Sequence, residues 1–147
     1  PITNPETAVD LDSNLYSPNS AGNGWDRIYY NNNETYGTDT VKLDKDDDAD
    51  TAPPGDETIT ISKVRSGTYI YQVHNWTHRG ASSTDAEITY LKKSDAKVKV
   101  YYNAGTCCTK KRYSVPNDNG TLWGVFTFNK DNNPSFIASD NMTTANP

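Results

Sequence analysis

The sequence predicts an all-β fold: a single-domain antiparallel β-sandwich, Ig-like or jelly-roll-like, of about eight or nine strands. Three observations predict it. Apolar and polar residues alternate in short runs, the pattern of strands with one buried face. Clusters of Gly, Pro, Asn, Asp and Ser punctuate the chain at intervals of roughly 8–12 residues. No window carries apolar residues at i, i+3, i+4 and i+7 over three turns, so an amphipathic helix is not expected. The 147 residues are enough for one domain with a real core. Only 33 % of them are hydrophobic, but 10 Tyr, 3 Trp and 3 Phe separate the chain from disordered sequence.

The expected strands follow in order. Val9 to Tyr16 comes first, with Val9, Leu11 and Leu15 on one face and Asp10 and Asp12 on the other. Ser17 to Gly24 reads as turn, Trp25 to Tyr30 as the second strand, and Thr40 to Leu43 as a short third. A long acidic loop, Asp44 to Asp56, leads into the alternation of Glu57-Thr58-Ile59-Thr60-Ile61. Gly67 to Asn75 is the strongest strand signal, with Tyr69, Tyr71 and Val73 opposite Ile70, Gln72 and His74. Asp85 to Leu91, Ala96 to Tyr102, Arg112 to Val115 and Thr121 to Phe128 complete the set. Residues 1–8 are expected to form an N-terminal arm, 9–128 the β-sandwich, and 129–147 a loose polar tail. The chain opens on Pro1 rather than Met and reads as a processed or excised segment.

Charge and composition narrow the function classes. A net charge of −5 with no basic cluster longer than Lys110-Lys111-Arg112 argues against nucleic acid as the partner. No apolar run approaches the length of a membrane-spanning helix, so membrane insertion is not expected. Four sequons, beginning at Asn33, Asn75, Asn119 and Asn141, are candidate glycosylation sites and favour an extracellular or cell-surface location; Asn133 is blocked by Pro134. The adjacent Cys107 and Cys108 fit two ordinary thiols, a strained vicinal disulfide, or bridges to another chain. A Cys-x-x-Cys redox motif is absent.

The acidic residues are the most specific chemical signal. Asp10-x-Asp12 lies on the first strand; Asp44, Asp46, Asp47, Asp48 and Asp50 fill the loop; Asp56-Glu57 closes it. Crowded carboxylates repel, and a hard divalent cation with six to eight oxygen ligands removes the repulsion. Alternate Asp residues on extended backbone project together, so pairs can reach one ion. A flexible carboxylate loop suits calcium better than magnesium, and zinc prefers Cys and His. The spacing is not that of an EF-hand, and a solvated acidic loop is the alternative.

Several segments together resemble a known family. Asp10-Leu11-Asp12 through Leu15-Tyr16 to Pro18-Asn19, Leu43-Asp44-x-Asp46-Asp47 leading to Gly55-Asp56-Glu57-Thr58-Ile59-Thr60-Ile61, Gly67-Thr68-Tyr69-x-Tyr71-x-Val73-His74-Asn75, Val98-Lys99-Val100-Tyr101 and Trp123-x-Val125-Phe126 resemble the YfaP-like secreted β-sandwich domains of bacteria. The resemblance spans residues 9 to 128 and implies an accessory module without catalytic activity. It also implies Asp10, Asp12, Asp44, Asp46 and Glu57 as calcium ligands, to which the loop composition adds Asp48. The segment Thr84 to Lys93 departs from the pattern as an inserted strand, and Pro53-Pro54 stands where Gly-Pro is usual.

Catalytic signatures are missing. His74 and His78 are four apart but on a strand end and loop, without His-Glu-x-x-His, and no Gly-x-Ser-x-Gly is present. Trp25, Trp76 and Tyr101 are the candidate sugar-binding aromatics. The expected function is therefore a non-catalytic extracellular module with a calcium-binding acidic loop, serving binding or self-assembly on a cell surface or in a surface filament. Its partner would be protein or glycan. The alternatives are a carbohydrate-binding module and a carboxylate-dependent hydrolase using Asp46, Asp48 and Glu57.

Overall fold

The computed structural model describes residues 10–33, 41–46, 56–103, 109–131, 135–144 and 147. Nine strands run through them: β1 (Leu11–Pro18), β2 (Trp25–Ile28), β3 (Val41–Lys45), β4 (Thr58–Ile61), β5 (Thr68–Asn75), β6 (Lys97–Tyr102), β7 (Thr109–Ser114), β8 (Leu122–Asn129) and β9 (Ser135–Thr143). All pairings are antiparallel. A five-stranded sheet has the order β2-β1-β5-β8-β9, and two hairpins, β3-β4 and β6-β7, stand apart from it. The predicted all-β, sandwich-like class is the one observed.

Alternation decides which face of the large sheet is core. In register, Leu15 lies opposite Tyr71, Tyr71 opposite Phe126, and Tyr69 opposite Phe128. These residues, with Ile28, Val73, Trp123 and Val125, form one apolar cluster. The hairpins cover it: Val41 and Leu43 of β3 are buried in the same cluster, and Ile59, Ile61, Val98, Val100 and Tyr113 pack against it. Stacking of Tyr71 and Tyr113 on Phe126, each with centroids 5.3 Å apart, joins the sheet to the β6-β7 hairpin.

Two expectations fail. Asp85 to Leu91 is not a strand: Ala86–Thr89 forms a 3₁₀ turn that continues into a short helix, α1 (Tyr90–Lys93). The Asp85 carboxylate accepts the Ser82 N–H at 2.7 Å and closes the preceding turn, and the buried residues are Ile88 and Leu91, three apart, a helical spacing rather than an alternating one. The polar stretch after residue 129 is not a loose tail either. It contains β9, which pairs with β8 along its length and packs Phe136 and Met142 on the core. Its alternate residues are polar because one face of this edge strand meets solvent. Gly124 of β8 is required there: a Cβ at that position would collide with Asn141 Oδ1, since the Asn141 side chain lies across it.

Candidate functional site

The site begins where β2 stops along β1. β2 pairs with β1 only from Leu15 to Pro18, whereas β5 pairs with it from Leu11 to Tyr16. Leu11 to Asn14 therefore lack a β2 partner on one side. Glu57, just before β4, fills part of this gap: its Oε2 accepts the Ser13 N–H at 2.6 Å. A carboxylate accepting from a backbone N–H is among the stronger hydrogen bonds a fold can make. It fixes Glu57 beside Asp12.

Asp12 is only 5 % exposed, and Asp46 follows β3 at the surface. One carboxylate oxygen from each of Asp12, Asp46 and Glu57 lies within 4.8 Å of the others. Burial pushes the Asp12 carboxyl up to about 7, and the charges of Asp10 and Asp46 push the same way, against the weaker pull of Arg27 and Arg79. The surroundings of Asp12 are ordered. Arg27 donates to Asn14 Oδ1 through Nε at 3.0 Å and Nη2 at 2.7 Å and lies 4.1 Å from the Tyr29 ring centroid. Arg79 lies 4.1 Å from the Trp76 ring and donates to the Trp76 carbonyl at 2.9 Å. His74 stands directly across from Asp12 in the β1-β5 register and is buried. A pocket of three oxygen donors with one wall buried and one open to water can hold a metal ion.

The expected ligands thus separate. Asp12, Asp46 and Glu57 come together. Asp10 sits beside them and acts on Asp12 by charge, while its backbone is tied to Thr77 Oγ1 and the Trp76 N–H, each at 2.9 Å. Asp44 is outside the group: its Oδ2 accepts the Thr60 hydroxyl across the hairpin at 2.5 Å. Asp48 lies outside the described residues, as do Cys107 and Cys108.

The sequons separate as well. Asn33, Asn119 and Asn141 are exposed. Asn75 is not: it is fully buried, its Oδ1 accepts the His78 N–H at 3.2 Å, and the Nδ2 that would carry a glycan is sealed from solvent. A glycan at Asn75 is incompatible with this fold, because the residue is fully buried, with its backbone N–H bonded to the Thr121 carbonyl at 2.7 Å; the sequon itself carries no sign of that burial. The three candidate sugar-binding aromatics stand on different elements, and no described ring contact joins them. Trp25 is 59 % exposed, donates its Nε1–H to the Thr68 carbonyl, and lines an open groove of about 470 Å³ with Tyr16, Ile70 and Gln72 on the outer face of the large sheet. Trp76 packs on Tyr30 with centroids 4.8 Å apart, and Tyr101 projects from β6.

Reading the sequence alone misses Arg27, Arg79 and His74 as neighbours of Asp12. Only the strand register, with Asp12 opposite His74, carries that signal.

The chain matches no family model, and neither the curated proteins nor the solved structures yield a match.

Proposed function

We propose that the chain is a non-catalytic, extracellular β-sandwich module that binds one calcium ion through Asp12, Asp46 and Glu57, and that the ion fastens the acidic loop to β1. The observation that carries this reading is the convergence of three carboxylates, one of them held at a raised pKa by burial and by its charged neighbours. Such a group is costly when ionised and empty, and a divalent cation removes the cost. All its donors are oxygens, which suits a hard ion. Asp46 stands at the surface, which leaves room for water in an irregular shell of six to eight ligands. The resemblance of the strand and loop segments to YfaP-like secreted domains supports the same reading, as do the exposed sequons at Asn33, Asn119 and Asn141.

Binding or assembly at a cell surface, as an accessory unit or as a filament subunit, is the role such a rigidified module serves. Its edge strands β2 and β9 offer backbone groups for a partner chain. A hydrolase reading is less favoured: Asp46 and Glu57 crowd together with Asp12, and Glu57 is engaged with the Ser13 N–H. In a glycosidase the two carboxyls flank a substrate at a separation of roughly 5–9.5 Å.

The test is a thermal melt in chelator against ~10 mM calcium, with magnesium as control. A site of ~0.1 mM affinity would then stabilise by about 2.7 kcal/mol. A rise with calcium and not with magnesium supports the site. No rise with either leaves the acidic residues as solvated surface and refutes it.

A further inference from the structure

The charge of this acidic chain is sharply segregated. Lys92, Lys93, Lys97, Lys99, Lys110, Lys111 and Arg112 make up half of its 14 Lys and Arg, and Asp95 is the one carboxylate between residues 92 and 112. The β6-β7 hairpin sorts these cations by alternation. Val98, Val100 and Tyr113 turn inward and pack on the core. Lys97, Lys99, Tyr101, Lys110 and Arg112 are exposed on the other face. The register sets Lys99 opposite Arg112 and Tyr101 opposite Lys110.

Two features set this face apart from ordinary solvated surface. Like charges directly across an antiparallel pair destabilise it, and Lys99 and Arg112 form such a pair although carboxylates are plentiful elsewhere in the chain. Lys97 pairs with Asp95 at 2.7 Å, but no described carboxylate lies within ion-pair distance of Lys99, Lys110 or Arg112. Tyr101 is 65 % exposed, an unusual setting for a large ring, with Lys110 Nζ 5.1 Å from its centroid. The face is thus a two-stranded cationic surface with one aromatic platform toward its turn end.

We propose that the outward face of the β6-β7 hairpin binds a linear acidic polysaccharide. Tyr101 stacks on a sugar ring, and Lys97, Lys99, Lys110 and Arg112 take the carboxylate or sulfate groups of neighbouring residues. Cross-strand spacing of ~4.8 Å and i to i+2 spacing of ~6.8 Å put these cations within reach of acid groups on successive sugars. One ring and four cations suit a sugar chain better than a single-stranded nucleic acid, whose successive bases call for several aromatic platforms. The net charge of −5 does not forbid a polyanion. At physiological salt, charge is screened over ~8 Å, so a ligand lying on the hairpin responds to the hairpin. The inference is independent of the calcium site.

The test is calorimetry or affinity chromatography of the full chain with dextran sulfate and polygalacturonate, and with neutral dextran, poly-glutamate and an oligothymidylate for comparison. Binding to an acidic polysaccharide and not to neutral dextran is expected. Four charge contacts give a slope of log affinity against log salt of about −3, taking the single-strand nucleic-acid factor. Which of the two acidic polysaccharides binds tighter identifies sulfate or carboxylate as the recognised group. The double variant Lys99→Gln, Arg112→Gln is expected to lose at least tenfold, and Tyr101→Ala about fivefold toward the polysaccharide but nothing toward poly-glutamate. Both variants are on exposed positions, and unchanged melting temperatures verify their folding. Equal binding of poly-glutamate with a silent Tyr101→Ala would overturn the proposal in favour of an acidic protein surface, including a second copy of this chain. Tighter binding of the oligothymidylate would overturn it in favour of nucleic acid, and loss of all binding would leave the face unliganded and the proposal wrong.

Discussion

Replacing Asp12 by Asn should stabilise the protein in chelator and abolish its response to calcium, an unusual pairing of signs for a buried polar position. The magnitude follows from the site. Burial beside Asp10 and Asp46 raises the Asp12 carboxyl from 3.8 to about 7. At ~1.4 kcal/mol per pH unit, ionising it in the folded state costs up to about 4 kcal/mol above pH 7. The substitution removes the charge, keeps the shape, and forfeits the attraction of Arg27 and Arg79, so a net gain of about half the ceiling, ~2 kcal/mol, is expected. For a chain of this length that is a rise of roughly 6 °C. The wild type in ~10 mM calcium should gain a similar amount, because the ion neutralises the same repulsion. The assay is four melts at a pH of about 7.5, above the raised value: wild type and Asp12→Asn, each in chelator and in calcium. If Asp12→Asn melts lower than wild type in chelator and still rises with calcium, the carboxylate is neither strained nor a ligand, and the reasoning fails.

The pH dependence has a definite sign. A carboxyl raised in the folded state retains a proton that the unfolded chain has released, so between pH ~4 and ~7 the folded state binds more protons and loses stability as pH rises; above ~7 the loss is complete and constant. The difference between wild type and Asp12→Asn, measured by urea unfolding in chelator at pH values of about 4.5 and about 7.5, should grow with pH by a few kcal/mol and vanish in saturating calcium. The ligand set is tested by calorimetry: Asp46→Asn should weaken calcium at least tenfold, whereas Asp44→Asn, whose carboxylate serves Thr60, should change it less than twofold. Equal effects would place the ion in the loop rather than on β1. Gly124→Ala should cost about 1–3 kcal/mol in urea unfolding by driving a methyl group into Asn141, and adding Asn141→Ala should recover most of it.

Much of the architecture was legible in the residues. Alternation identified eight of the nine strands to within a few positions, because Tyr69, Val73, Leu122 and Phe128 are apolar where a half-buried sheet requires it. It failed where burial depends on partners rather than on pattern. Ile88 and Leu91 are core, yet two residues three apart make too short a signal to separate a helical turn from a strand. β9 is polar at Ser139, Asp140 and Asn141, so its membership of the sheet shows only through its pairing with β8 and the packing of Phe136 and Met142.

The same distinction governs the site. Composition marks the acidic loop but treats its carboxylates as equals. Two structural details rank them. The first is the point where β2 stops: N-terminal to Leu15, β1 has no β2 partner, and Glu57 is drawn to the Ser13 N–H. The second is the path of the β3-β4 hairpin, where a register shift between Leu43 and Lys45 accompanies the turn of Asp44 toward Thr60, while Asp46 reaches Asp12. Of the three converging carboxylates only Asp12 is buried, whereas Asp46 stands at the surface and Glu57 has a neutral donor, the Ser13 N–H. Asp44 has such a donor and Asp12 is crowded by like charge, so the cation requirement falls on Asp12. That is why the single most informative substitution lies on the first strand and not in the loop that is richest in Asp.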